Sequence, residues 1–166
     1  MPVLTYEATY KTHEYHGHTL EQVAHQIEQQ AEAGHTHWVT RWHVMERNDD
    51  HTIKRAEVEV WLEITMPHWA EYASATPAEQ AEWDRFVQAL QAHEDGHVEI
   101  VRQYTENADV MLEGLSEHDA TQQWQTNDQA LQQASNAYDT SNDHGRNAGT
   151  TITLPSSESD ESEGEE

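Results

Sequence analysis

Ala92-His93-Glu94-Asp95-Gly96-His97-Val98 is the stretch on which the reading of this chain turns. On a helix of 3.6 residues per turn, His93 and His97 fall one turn apart on the same face, so two imidazoles can take one metal ion. Glu94 sits beside them and can exchange a proton with a water on that metal. Two histidines leave zinc short of its usual four ligands, so the reading demands a third protein ligand and an open position.

The flanking residues predict that this stretch is helical and faces inward. Thr76 as N-cap, Pro77 at the first helical position and Glu79 completing a capping box start a helix well before the motif. Trp83, Phe86, Val87, Leu90, His93, Glu94, His97, Ile100, Val101 and Tyr104 then recur at three- and four-residue steps, which puts both histidines on the buried stripe. Gly96 costs about 1 kcal/mol relative to Ala in a helix interior, so its presence predicts close approach of another segment beside His97. The helical pattern carries on through Val110, Met111 and Leu112 to about Gly114.

Upstream, residues 3 to 11 alternate as a strand with Leu4, Tyr6, Ala8 and Tyr10 facing inward. Thr19 caps an amphipathic helix that ends near Gly34, with Leu20, Val23, Ala24, Ile27 and Ala31 as its stripe. Residues 36 to 65 read as an antiparallel hairpin turning at Arg47-Asn48-Asp49-Asp50, and Pro67 ends it. Its second arm has Ala56, Val58, Val60, Leu62 and Ile64 on one face and mostly acids on the other. Downstream, a Gln-rich helix covers about Ala120 to Tyr138, followed by a loop from Asp139 to Gly145. The expectation is an α+β single domain over residues 1–152: an N-terminal antiparallel sheet with one helix, the long motif helix, and a C-terminal helix. Residues 153–166 lack the apolar content for a core and read as a disordered acidic tail.

Composition narrows the function. The 166 residues carry 8 Lys and Arg against 32 Asp and Glu, a formal charge of -24. Nucleic acid and anionic membrane surfaces are therefore poor partners, and the acidity fits a protein or peptide substrate that is basic, a salt-rich habitat, or simply solubility. Cysteine is absent, so a metal must be held by histidine and carboxylate. The amino terminus lacks a basic start followed by an apolar run, so no signal peptide is read in this chain, and no segment has membrane-spanning length. Oligomeric state is not legible.

Three residues compete for the third ligand position. Glu117 stands at the separation from His97 used by one large class of zinc proteases, but among turn-forming neighbours. Asp139 and His144 fall where a helix returning antiparallel to the motif helix would come back to its level, and both residue types suit zinc. His37, His43 and His68 read as surface residues.

The order of Trp42 on a strand, the Met66-Pro67-His68-Trp69 crossing, Trp83 with Phe86, the His-Glu-Asp-Gly-His motif, and then Tyr138-Asp139 with His144-Gly145 resembles a bacterial family of predicted secreted zinc-dependent proteases. The resemblance covers about residues 3 to 150. That family closes on a Tyr-Asp, Thr, His-Gly pattern, in which Asn142 here replaces the Thr. The resemblance implies a zincin-like fold, a secreted protein, and a functional pairing of the two motifs, and it favours His144 over Glu117.

The expected enzyme is a zinc endopeptidase with His93, His97 and His144 as ligands and Glu94 as general base. Asp139 either orients a ligating imidazole or is itself the third ligand. Tyr138 is a candidate hydrogen-bond donor to the oxyanion, and equally a cap on the apolar stripe of the last helix. Two other functions fit the same residues: an acidic binding or inhibitor module with a structural metal, and a metal-dependent hydrolase of a non-peptide amide.

Overall fold

A computed structural model describes residues 3–146 and 149–155. The elements are β1 (Val3–Tyr15), α1 (Leu20–Glu28), β2 (His35–Arg47), β3 (Ile53–Trp69), α2 (Pro77–Thr105), α3 (Ala108–Leu112) and α4 (Glu117–Ser141), with a 3-10 turn at Tyr72–Ser74. They form a small α+β single domain.

The acid-backed alternating run becomes β3, the centre of a three-stranded sheet of order β1-β3-β2. Ala56, Val58, Val60, Leu62 and Ile64 are all buried beneath the helices. β2 pairs with β3 antiparallel, as the hairpin pattern predicts, with Trp38 opposite Leu62 and Trp42 opposite Val58. β1 pairs with the other side of β3 in parallel, Tyr6 lying opposite Val60. The sheet is therefore mixed rather than antiparallel. The chain from β1 to β3 includes α1 and the whole of β2, which gives the long connection that parallel neighbours need.

Three further expectations shift. β1 runs to Tyr15, and as an edge strand it is covered at Tyr15 and partly at Tyr6, while Tyr10 is exposed. β3 continues through Pro67 to Trp69, because β2 pairing ends at Thr65 and one flank of β3 then has no ladder to feed. The helical pattern past the motif breaks in two, with α2 ending at Thr105 and α3 beginning at Ala108.

The helix starts follow their caps. Thr19 accepts from the Gln22 amide at the head of α1. Thr76 and Glu79 form the reciprocal capping box of α2. Glu79 also accepts from the Leu20 amide at 2.6 Å, so one carboxylate joins the first turns of α1 and α2. Ser116 accepts from the Asp119 amide at 3.1 Å, which starts α4 at Glu117 rather than near Ala120. Gly114, at φ +79, lets the turn before α4 lie against β3, its amide donating to the Ile53 carbonyl at 2.7 Å.

Among the described residues, no helix is long and apolar enough to cross a membrane. Of the expected acidic tail, Thr153 to Pro155 are outside helix and strand, and residues 156–166 lie outside the described residues.

Candidate metal centre

The stripe that buries Phe86 and Leu90 continues into His93, Glu94 and His97, each no more than 6 % exposed. α4 packs across this face and presents Ser135 and Asp139, one turn apart. Asp139 Oδ1 lies 3.1 Å from His93 Nε2 and 2.8 Å from His97 Nε2. On the far side of the ring, His97 Nδ1 lies 2.8 Å from Ser135 Oγ. That contact occupies Nδ1 and leaves Nε2 directed at the aspartate. One ligand atom from each of His93, His97 and Asp139 lies within 4.8 Å of the others.

Tyr138 braces the pair from behind. Its ring stacks on His93 at 4.9 Å and 15° and stands edge-on to His97 at 86°. Its hydroxyl donates to the His93 carbonyl at 3.1 Å. A Cβ at Gly96 would come within 2.2 Å of that hydroxyl, so the glycine in the motif is what lets α4 approach. In this geometry the Tyr138 hydroxyl is engaged by the backbone. Burial, with the Glu94 and Asp139 carboxylates, raises its pKa and keeps it a donor.

Glu94 points to the other side, toward β2. Its Oε2 accepts from Thr36 Oγ1 at 2.5 Å, and Thr36 is itself 6 % exposed. Burial pushes the Glu94 carboxyl above the ordinary carboxylate range, opposed by the Thr36 hydrogen bond and the two histidines. Gly34 passes close beside it, an ideal Cβ there lying 3.2 Å from Glu94 Oε1.

His144 lies just beyond α4 in the left-handed region at φ +54, its amide donating to the Asp139 carbonyl at 2.7 Å. Its side chain is 54 % exposed, with Nδ1 3.9 Å from Glu32 Oε1. It thus stands at the rim, grouped with Glu32 and Asp139 rather than with His93 and His97. The following Gly145, at φ +86, packs over His93, where a Cβ would lie 3.0 Å from Cγ of the ring. Glu117 is far away. It begins α4 and pairs with Arg47 at 2.6 Å, and the 22 helical steps from it to Asp139 span about 33 Å. His37, His43 and His68 are exposed.

The donor set fits a transition metal. Two imidazole nitrogens and a carboxylate oxygen converge without any thiolate, which is a set that zinc accepts while keeping a position open. Sequence reasoning missed Thr36 and Ser135. Ser135 had a readable signal, one turn before Asp139 on the same helical face, whereas Thr36 meets Glu94 only through the packing of β2 on α2.

His93, Glu94, His97, Asp139, Ser135, Thr36 and His144 border one cleft of about 610 Å³, walled by α1, the segment from Gln30 to Trp38, α2, the end of α4 and residues 150–152. Residues 10–145 match the family model for bacterial proteins of unknown function called DUF922, and the chain belongs to that family. The match spans both motifs. No curated protein and no solved structure matches the chain.

Proposed function

We propose that this DUF922 protein is a zinc-dependent endopeptidase, with His93, His97 and Asp139 holding the metal and Glu94 acting as general base. The observation that carries the reading is the convergence of His93 Nε2 and His97 Nε2 on one Asp139 oxygen, with Glu94 buried beside them on the cleft wall. Zinc bound there supplies a Lewis acid that brings the pKa of water toward neutrality and polarises a carbonyl.

The chain's own residues do the rest. Ser135 fixes the His97 ring, Tyr138 stacks on the His93 ring, and Gly145 packs close against it. Glu94 takes the proton of the attacking water on a carboxylate oxygen and passes it to the leaving nitrogen. Thr36 keeps that carboxylate turned to the cleft rather than into the core. β2 is an edge strand, and its residues His35 to Trp38 border the cleft, so an extended peptide can add to its free edge. This favours a peptide over a compact amide. The charge of -24 favours basic proteins as substrates. Secretion belongs to the same reading and is supported by the family resemblance.

The test joins metal content to activity. The purified protein is expected to hold a single zinc and to cleave casein, with Glu94→Gln retaining metal and losing cleavage. Zinc is expected to be lost from His93→Ala and Asp139→Ala and kept by His144→Ala. Loss from His144→Ala with retention by Asp139→Ala would overturn the ligand assignment. Full metal occupancy without hydrolysis of any unfolded protein would overturn the enzyme.

A further inference from the structure

The cleft is not uniform along its length. Toward the carboxyl end of α2 it is polar, with His93, Glu94, His97 and Asp139. One turn earlier on α2 come Leu90 and then Phe86, and across from them α1 contributes Ala24 and Ile27, all bordering the same cleft. Ile152, from the segment after α4, closes this end. None of these five carries a charge or a hydrogen-bonding side chain. An acidic or amide side chain placed there would lose its water without a replacement hydrogen bond.

Two features fix this end of the cleft beside Glu94. At Gly34 an ideal Cβ would lie 3.2 Å from Leu90 Cδ2 and 3.2 Å from Glu94 Oε1, so the glycine stands where the apolar end meets the general base. The wall after α4 is tied down, since Arg85 donates to the carbonyls of Gly149 at 2.8 Å and Thr151 at 2.6 Å. Glu82 accepts from the Thr153 amide at 2.7 Å. Ile152 is thereby held over the cleft by backbone contacts on both sides of it.

We propose that this end of the cleft is the specificity pocket for the substrate residue adjoining the cut bond, and that it takes an apolar side chain. The inference rests on the endopeptidase reading. The acids that favour basic sequence, Glu28 and Glu32, are exposed residues on the outer wall, so their preference falls on residues further from the bond.

The zinc-loaded full chain is given an equimolar library of unstructured peptides, and cut sites are read by mass spectrometry. One side of the cut is expected to be enriched roughly tenfold in Leu, Ile, Val, Met or Phe over Lys, Asp or Gly, the scale that apolar pockets reach. Ala24→Phe is expected to fill the pocket and shift the preference to Gly and Ala, with zinc content unchanged. Ile27→Ala, which enlarges it, should shift the preference toward Phe and Trp. A profile without apolar enrichment, or one that neither variant moves, overturns the inference while leaving the endopeptidase intact. A separate readout needs no turnover: in methyl NMR of the metal-free protein, acetyl-leucine amide is expected to shift the Ala24, Ile27 and Leu90 methyls, and acetyl-lysine amide is not. Absence of the leucine shifts overturns the pocket even if the protein proves to have no protease activity.

Discussion

At the scale of single residues, the site depends on contacts that hold functional groups rather than on the functional groups alone. Glu94 is buried, and its only described hydrogen-bond donor is Thr36 Oγ1. Removing that hydroxyl leaves a buried carboxylate oxygen unpaired and free to turn. Thr36→Val is expected to lower kcat about 10- to 100-fold, the range seen when outer-shell partners are removed, with KM and zinc content little changed. Thr36→Ser restores the donor and should restore most of kcat, which a purely structural role for the β-branched side chain would not produce. If the valine variant turns over like wild type, Thr36 does not position the base. The same logic separates the histidines. His93 and His97 were legible in the sequence because their relation is local, one turn of one helix. Asp139 could be narrowed only to a choice with His144, because which of the two stands beside His93 and His97 depends on how the last turn of α4 meets α2. The chain there goes left-handed at Asp143 and His144, and this carries the His144 side chain out to the rim.

At the scale of elements, caps and periodicity fixed the starts of α1 and α2 and the faces of β2 and β3, and pairing direction stayed hidden. An alternating pattern states which side of a strand is buried and nothing about which way its neighbour runs. β1 lies parallel to β3 because of the path the chain takes through α1 and β2. Pro67 likewise reads as a stop unless it is known that β2 has already ended. Glu79 is where two elements become one unit, accepting from Leu20 at the start of α1 and from Thr76 at the start of α2. Those hydrogen bonds, the Leu20 amide first, hold its pKa below the ordinary carboxylate value. A carboxyl with a lowered folded pKa stabilises the fold above its unfolded pKa, and that contribution fades as pH falls through the folded value. Glu79→Ala is therefore expected to destabilise by about 1 kcal/mol at neutral pH, the usual cost of a lost cap. In urea unfolding, the gap between wild type and variant should close on acidification below the carboxylate range. A gap that persists unchanged at low pH would mean that the packing of the Glu79 side chain, not its charge, joins the helices.

At the scale of the whole molecule, charge sets a global term that no single contact reveals. The net charge of -24 is spread over a chain with only eight basic side chains, and several of those are already engaged. Lys11 with Glu63, Lys54 with Glu46, Arg47 with Glu117 and Arg85 with Glu82 are paired at 2.8 Å or less. Screening weakens these exposed pairs, each worth about 0–1 kcal/mol, and it also weakens the far more numerous repulsions among unpaired carboxylates. Repulsion is greatest in the compact state, because folding brings the charges together. The balance favours repulsion, so the melting temperature is expected to rise as sodium chloride goes from 10 mM to 500 mM, and to rise equally in potassium chloride, since screening does not distinguish the two cations. A rise restricted to one cation would indicate a specific site, and a fall would mean that the ion pairs outweigh the repulsion. The same screening acts in the opposite sense on function. Attraction of a basic substrate to the acidic surface is largely screened beyond a Debye length, about 10 Å at 0.1 M salt. The salt that stabilises the fold should therefore raise KM for lysine-rich substrates, and leave KM for neutral peptides unchanged.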